Sequence, residues 1–359
     1  LPKCMLFWRS FTHWVGGMGV LVFMLTILPM SGGYHMNLMR AESPGPSVER
    51  FVPTVKSTAK ILYGIYICLS LLELLLLLVG KMPMFDALTL TFGTAGTGGF
   101  GIKNDSIGSY TTYQQTVITI FMILFGVNFN VYFLFLLKKI RQGLKNEELR
   151  AYLGIILGAI LLITVNIAGK FGNPFLAFHH AAFQVGSIIT TTGYSTVDFD
   201  TWPTFSKTVL VLLMFIGASA GSTGGGIKVS RIVILAKSVK KELKQYLHPH
   251  SISKIKMDGK PVEHEVVRSI NVFLIAYLLI YAVSMLIVSL DNFDFTTTFT
   301  SVAATINNIG PGLDLVGPAA NFGILSVPSK LVLVFDMLAG RLEIFPLLLL
   351  FVPDTWRKF

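Results

Sequence analysis

The feature that most constrains this chain is the recurrence of apolar stretches long enough to cross a bilayer. A spanning helix needs about 20 mainly apolar residues. Only 13% of the residues are charged, against roughly 25% in an average protein, which leaves too little polar surface to cover a globule. The sequence therefore predicts an all-α polytopic membrane protein surrounded by lipids, and it argues against a soluble enzyme, a coiled coil or a disordered chain. The predicted spans are 5–28, 61–80, 115–137, 151–169, 205–235, 271–290 and 325–352.

The basic residues are distributed unevenly between these spans. Most of the 29 lysines and arginines lie in alternate connections and at the C-terminal end, and the longest basic segment runs from 228 to 268. Lysine and arginine concentrate on the cytoplasmic side of membrane proteins. We therefore expect the basic connections to be cytoplasmic and the protein to lie in the cell inner (plasma) membrane. The net charge of +10 is then a topology signal, and no nucleic-acid partner is predicted.

Three of the remaining connections are too long and too apolar to be simple loops. They are 84–113, 170–204 and 291–324, and each holds an apolar run of about 10–14 residues, which is short for a span and typical of a re-entrant helix. Each run ends at threonine or asparagine followed by glycine. Non-helical backbone at membrane depth is tolerated where it lines a watery cavity or is buried in protein. We therefore predict three re-entrant helices, each followed by a glycine turn.

Helix, re-entrant helix and helix form a unit that recurs along the chain. The first predicted span has no such partners before it, so we interpret it as the second helix of an incomplete first unit, whose earlier elements are expected before Leu1. The expected divisions are a first-repeat helix at 1–33, a second repeat at 57–142, a third repeat with a glycine-broken last helix at 150–240, a basic cytoplasmic loop at 241–268 and a fourth repeat at 269–359.

The glycine turns have the composition of an ion filter. Such filters use backbone carbonyls to replace the hydration shell of an ion, and glycine allows the backbone conformations that point carbonyls at a common axis. Threonine can add a hydroxyl or carbonyl ligand. In the first turn either of two adjacent glycines fits the pattern, and structural turns in another kind of transporter remain the alternative. The candidate filter residues are Thr97, Gly98, Gly99, Thr191, Thr192, Gly193, Asn308, Ile309 and Gly310, and acids that could concentrate cations outside them are Asp105, Asp198, Asp200 and Asp314.

Two further features lie within predicted spans. Five glycines between 217 and 226 predict a break in the fifth span, because each glycine costs a helix about 1 kcal/mol; close helix packing is the alternative. Arg341 falls in the middle of the last predicted span, where an arginine normally faces a cavity or a partner. We expect it in the pore below the filter, repelling cations and holding the glycine segment, with an ion pair to Asp336 or Glu343 as the alternative.

Four segments together resemble a known family. TTTGYST, GASAGSTGGGIKVSR, INNIGPG and DMLAGRLEIF are similar to the Trk/Ktr/HKT superfamily of potassium transporters, in particular to the membrane (pore) subunit of the prokaryotic Trk/Ktr type. The resemblance implies potassium uptake through a potassium-channel-like pore of four-fold pseudosymmetry, assembly as a homodimer, and a cytosolic ring of nucleotide-binding regulatory subunits. Potassium is then the substrate, and the chain itself needs no cofactor.

The resemblance also implies that the glycine segment is an intramembrane gate under the filter. The expected gate residues are Gly217, Gly221, Gly224, Gly225, Gly226 and Arg341. An intramembrane enzyme is the alternative from another class. It would need a nucleophile and base, or a metal site, at membrane depth, and His179-His180 is the one feature of that kind. No catalytic residues are predicted.

Overall fold

The computed structural model describes residues 1–17, 55–249, 254–342 and 344–353, without the side chains of 55–58. Parts of the first predicted span and of its connection, Glu343 and the C-terminal basic residues lie outside the described residues. The α-helices are α1 (Lys3–Gly17), α2 (Val55–Val79), α3 (Met84–Ala95), α4 (Thr112–Phe125), α5 (Phe129–Leu136), α6 (Ile140–Leu144), α7 (Glu147–Phe171), α8 (Pro174–Ile189), α9 (Thr204–Ile216), α10 (Val229–Leu247), α11 (His264–Val288), α12 (Phe295–Ile306), α13 (Val327–Arg341) and α14 (Phe345–Leu349).

Three long helices match predicted spans. Segments Ala59–Val79, Glu147–Phe171 and His264–Asp291 are long and apolar enough to cross a membrane, and the bent pair α4 and α5 would make a fourth span. Helix α7 shows how the sequence sets such limits. The Asn146 side chain accepts from the Leu149 N–H at its start, and at its end Gly172 takes the left-handed conformation that glycine adopts readily.

Three other predicted spans are each divided into two helices. The predicted break at 217–226 is present, since α9 ends at Ile216 and α10 begins at Val229. The predicted spans 115–137 and 325–352 are also divided, at breaks that were not predicted. After Gly126 the chain bends by 89° between α4 and α5, and the Asn128 side chain caps the new helix by accepting from the Asn130 N–H. Helix α13 ends at Arg341, and Ile344 has a φ of +57°.

The three predicted re-entrant runs are short helices. Helices α3 and α12 have 12 residues and α8 has 16. Each packs between the long helix before it and the shorter helix after it, and each also contacts a helix of the preceding part of the chain: α3 contacts α1, α8 contacts α4, and α12 contacts α9. Because the apolar core lies around these short helices, the turns that follow them are held side by side in the middle of the protein.

A small β-hairpin lies in the basic connection between α10 and α11. Strands β1 (Lys256–Met257) and β2 (Lys260–Pro261) pair in antiparallel fashion. The Asp258 carboxylate at the hairpin turn accepts from the Asn146 side chain and from the Glu147 N–H, both at 2.7 Å. The hairpin therefore rests on the first turn of α7.

Candidate ion pathway

The turns after the three short helices share one backbone conformation. In each, a residue with positive φ is followed two positions later by a glycine with positive φ, a conformation that residues with a β-carbon rarely adopt. The φ angles are +50° at Thr97 and +66° at Gly99, +58° at Thr191 and +83° at Gly193, and +56° at Asn308 and +107° at Gly310. Gly99 is therefore the structural counterpart of Gly193 and Gly310, and Gly98 is the counterpart of Thr192 and Ile309.

The hydrogen bonds of the three turns repeat as well. In each turn, the N–H groups of the glycine and of the residue before it both point to one carbonyl in the last turns of the short helix. The acceptors are the carbonyls of Gly93, Ser187 and Ala304, with N···O distances of 2.8–3.4 Å. The two amides of each turn are thereby bonded to the short helix before it.

Neighbouring turns touch through the glycines. A Cβ atom on Gly99 would lie 1.6 Å from the carbonyl oxygen of Thr192, and one on Gly193 would lie 2.0 Å from the carbonyl oxygen of Ile309. A Cβ atom on Gly310 would meet no atom of the described residues within 4 Å. The turns thus follow one another around an arc, with Gly99 and Gly193 each against a carbonyl of the next turn, and no described residue lies against the Cβ position of Gly310.

At Gly98 a different neighbour leaves no room for a side chain. A Cβ atom there would lie 1.8 Å from Nδ1 of His13, a residue of α1 that sequence reasoning did not single out. The His13 ring packs edge-on against Phe100, with 4.7 Å between ring centroids. On the same helix, the Arg9 guanidinium donates to the carbonyl of Gly101 at 2.7 Å. Helix α1 therefore supports the first turn from behind, and the paired glycines reflect two separate close contacts.

The glycine segment 217–226 lies against the same turns. A Cβ atom on Gly224 would lie 2.8 Å from the carbonyl oxygen of Thr190, and one on Gly225 would lie 2.7 Å from that of Asn307. Its two ends also meet each other, because a Cβ atom on Gly217 would lie 2.7 Å from the Cα of Gly226. The glycines therefore allow backbone to pack on backbone, which explains why several are needed in so short a segment.

Two threonines predicted as filter residues direct their hydroxyl groups toward this segment. The Thr97 hydroxyl donates to the carbonyl of Thr223 at 2.9 Å, and the Thr191 hydroxyl accepts from the N–H of Gly225 at 2.6 Å. The Thr192 hydroxyl instead bonds that of Thr190 at 2.8 Å. The side chains of Thr97 and Thr191 therefore link the turns to the glycine segment.

Arg341 also bonds the glycine segment. It is the last residue of α13, so the predicted span 325–352 is interrupted directly after it. Its guanidinium donates to the carbonyl of Thr223 at 2.9 Å and to that of Gly16 at 3.1 Å. The carboxylate of Asp336, the alternative partner, accepts from the Ser284 hydroxyl at 2.7 Å. The arginine therefore contacts the segment through a carbonyl, and Glu343, the other alternative partner, lies outside the described residues.

The acids beyond the turns differ in their surroundings. Asp200 lies 3.4 Å from the Lys207 ammonium, and Asp198 caps a short turn by accepting from the Asp200 N–H. Partial desolvation, together with repulsion from Asp294 and Asp200, raises the pKa of Asp314 above its usual range. The acids therefore form a partly neutralised group rather than a uniform ring of charge.

The two histidines considered for an intramembrane enzyme both lie within hydrogen-bond distance of other side chains. His179 Nε2 lies 2.7 Å from the side-chain oxygen of Gln115, and His180 Nδ1 lies 3.0 Å from the Thr196 hydroxyl. Within the described ranges, no group of three histidine, cysteine or acidic residues is placed to hold a metal ion. The histidines thus attach α8 to its surroundings.

Comparison with known proteins decides the class of protein. The family model described as TrkH, cation transport protein, matches residues 1–171 and 173–358. The chain belongs to the TrkH family of cation transport proteins. It is a polytopic membrane protein and a transporter rather than an enzyme, as the sequence predicted.

Individual TrkH family members align over the whole chain. The Trk system potassium uptake protein TrkH of Salmonella typhimurium is 37% identical in an alignment of 363 positions that covers 100% of this chain and 75% of that protein. The Trk system potassium uptake protein TrkG of Escherichia coli is 33% identical in an alignment of 363 positions that covers 100% of this chain and 74% of that protein. The crystal structure of the potassium transporter TrkH from Vibrio parahaemolyticus matches with a TM-score of 0.85 at 34% identity, covering 99% of this chain and 74% of that one.

Proposed function

We propose that this TrkH family member takes up potassium across the cell inner membrane through a filter formed by the three glycine turns. The observation that carries the proposal is the contact between turns, in which Gly99 and Gly193 each lie against the carbonyl of the next turn. The choice of potassium as the ion rests on the names of the relatives, which are potassium uptake proteins. The filter residues are Thr97, Gly98, Gly99, Thr191, Thr192, Gly193, Asn308, Ile309 and Gly310.

The physical argument for a cation rests on the backbone. The amides of each turn are used by the short helix behind it, so the carbonyls are the groups left to replace the hydration shell of an ion. Helices α3, α8 and α12 also end next to the turns, and the C-terminal end of a helix carries a partial negative charge of about half a unit. Both effects favour a cation and disfavour an anion. A weakly hydrated cation such as potassium gives up its water most easily at such a site.

The four-fold arrangement is part of the proposal. Each short helix packs on the second helix of the preceding unit, as α8 does on α4 and α12 does on α9. Helix α3 packs on α1 in the same way, which supports the interpretation of α1 as the second helix of a first unit. A first-unit turn would then close the arc beside Gly310.

The gate in this proposal is the glycine segment with Arg341. The segment is bonded to the first turn through Thr97 and to the second through Thr191, and Arg341 places a positive charge beside it. The segment blocks the pathway sterically, and the arginine adds an electrostatic barrier. Regulation then shifts the segment between blocking and open positions. Gly217, Gly221, Gly224, Gly225 and Gly226 supply its backbone freedom.

The assembly follows the resemblance. We propose a homodimer whose basic connections face the cytoplasm, where a ring of nucleotide-binding regulatory subunits docks. The phrase "Trk system" in the names of the relatives agrees with a transporter of several components. The excess of lysine on α10 is the feature of this chain that suits a docking surface on that side.

The test is the substitution Gly193→Ser. Its side chain would point into the Ile309 carbonyl and would also strain a φ of +83°, so we expect a lower preference for potassium over sodium in tracer uptake. Gly154→Ser is the matched control, because Gly154 lies within α7 with open space at its Cβ position. Unchanged selectivity in Gly193→Ser would contradict the filter. Failure of the parent protein to support growth of an uptake-deficient host on low potassium would contradict potassium uptake itself.

A further inference from the structure

Glu148 is a buried acid in the first turn of α7. Its carboxylate accepts hydrogen bonds from two segments, each of which interrupts a predicted span. Its side chain is 4% exposed. One carboxylate oxygen accepts from the N–H of Ala220 at 2.6 Å, and the other accepts from the side-chain amide of Asn128 at 3.1 Å. Ala220 belongs to the glycine segment, and Asn128 caps α5 after the break in the third predicted span. One carboxylate therefore joins two segments of irregular backbone.

The two segments are also joined to each other by their backbones. The Ser219 N–H donates to the carbonyl of Gly126 at 3.1 Å, and the Phe129 N–H donates to that of Gly221 at 3.0 Å. The break between α4 and α5 is thus the surface on which the glycine segment rests, and Glu148 lies where that surface and the segment meet.

A buried cation at the far end of the glycine segment faces this carboxylate. Lys228 is 4% exposed, its ammonium donates to the carbonyl of Gly224, and its charge attracts that of Glu148. Hydrogen bonds to an ionised group are roughly twice as strong as neutral ones. Glu148 therefore bonds the segment at Ala220, and Lys228 bonds it at Gly224.

The position of Glu148 is itself fixed from the cytoplasmic side. Asn146, two residues earlier, caps α7 and bonds the Asp258 carboxylate of the β-hairpin. The first helical turn also favours an acid, because the helix N-terminus carries partial positive charge. The start of α7 is thus fixed by its contacts with the hairpin, and Glu148 extends from it to the glycine-rich segment.

We propose that Glu148 is the positioning residue that fastens the glycine segment against the filter turns. It touches no ion in this proposal and acts through the segment. Its effect on flux rests on the proposed function of that segment as a gate. The contact between Glu148 and the segment is tested separately, by the accessibility of the segment to a thiol reagent.

The experiment measures the accessibility of the segment in the full chain in membrane vesicles. Ser219, which is 1% exposed, is replaced by cysteine in a background where Cys4 and Cys68, the two cysteines of the chain, are serine. The rate of reaction with a cationic methanethiosulfonate reagent is then compared with and without Glu148→Gln. Loss of a buried, charged anchor should raise the rate about tenfold. Glu148→Asp, which keeps the charge, should react at a rate between the two.

Glu147→Gln is the matched control. It makes the same chemical change one residue earlier and removes the pairing with Lys237, and we expect it to leave the labelling rate unchanged. If Glu148→Gln alone disturbs insertion, the double variant Glu148→Gln/Lys228→Met removes both buried charges together, so that neither is left uncompensated, and it should label as fast. An unchanged labelling rate in both Glu148→Gln and Glu148→Gln/Lys228→Met would overturn the fastening role. A rise in Glu147→Gln equal to that in Glu148→Gln would overturn it too.

Potassium flux in the same variants separates the two proposals. Faster labelling with higher flux and unchanged selectivity supports both the fastening and the gate. Faster labelling with unchanged flux supports the fastening and contradicts the gate, because the segment has then been released without opening the pathway.

Discussion

The guanidinium of Arg341 donates to the carbonyl of Thr223 at 2.9 Å, although 118 residues separate them in sequence. The same carbonyl accepts from the Thr97 hydroxyl at 2.9 Å. Thr223 is therefore the point at which the glycine segment, the first glycine turn and the end of α13 are connected.

Replacement of Arg341 by alanine should raise potassium flux. The substitution removes a positive charge beside the pathway and one of the bonds that hold Thr223. A gain of about tenfold corresponds to a barrier lowered by about 1.4 kcal/mol, which is the order expected for one charged hydrogen bond. Tracer uptake into vesicles measures it. Arg231→Ala is the control, because that guanidinium stacks 4.0 Å from the ring centroid of Phe273 on the side of α10. Equal or lower flux in correctly inserted Arg341→Ala would assign the arginine a structural role.

Deletion of Ser219 to Gly225 should also raise flux without abolishing selectivity. The ends of the segment already meet, since the Ala218 N–H donates to the carbonyl of Gly225 at 3.3 Å and Gly217 packs on Gly226. The shortened chain can therefore close with little change in α9 and α10. Potassium and sodium uptake, measured together in the deleted protein, give the flux and the selectivity. A deleted protein that inserts normally and conducts no more than the parent would place the gate elsewhere.

Much of the fold could be predicted because its signals are local. The three long apolar helices and the three short ones follow from run length, and the break between α9 and α10 follows from five glycines in ten residues. The breaks after Gly126 and Arg341 were missed, since a single glycine, Gly126 or Gly340, lies at each. Their stability comes from tertiary contacts, such as the Phe129 N–H on the carbonyl of Gly221.

In the candidate site, too, the features with local sequence signals were predicted and those that depend on tertiary contacts were not. The turn glycines were predicted from composition, but the choice between Gly98 and Gly99 depends on φ angles and on a histidine 85 residues earlier in the chain. Glu148 is likewise one of two adjacent acids at a helix start, and nothing local distinguishes it from Glu147. Burial and long-range partners made that distinction.

The basic end of α10 should bind the regulatory subunit. Lys240, Lys241 and Lys244 lie in the last turns of a helix that extends to Leu247, past the apolar part of the third unit. Reversing the three charges to glutamate should weaken co-purification of the regulator, because charge complementarity steers and stabilises such contacts. Reversal of Lys138 and Lys139, which lie in another basic connection, is the control of similar charge. Binding retained at ordinary salt would favour anionic lipid headgroups as the partner of these lysines.

The two adjacent glycines of the first turn should respond differently to alanine. Gly98→Ala places a methyl group against the His13 ring, an overpacking that typically costs about 1–3 kcal/mol, and the double variant with His13→Ala should recover most of the lost stability because the ring is then gone. Gly99→Ala should not be rescued by His13→Ala, because its obstacles are the carbonyl of Thr192 and a φ of +66°. Thermal unfolding in detergent measures the stability of the four variants, and tracer competition measures their selectivity. Rescue of both glycine variants by His13→Ala would show that Gly99, like Gly98, serves only to make room for α1.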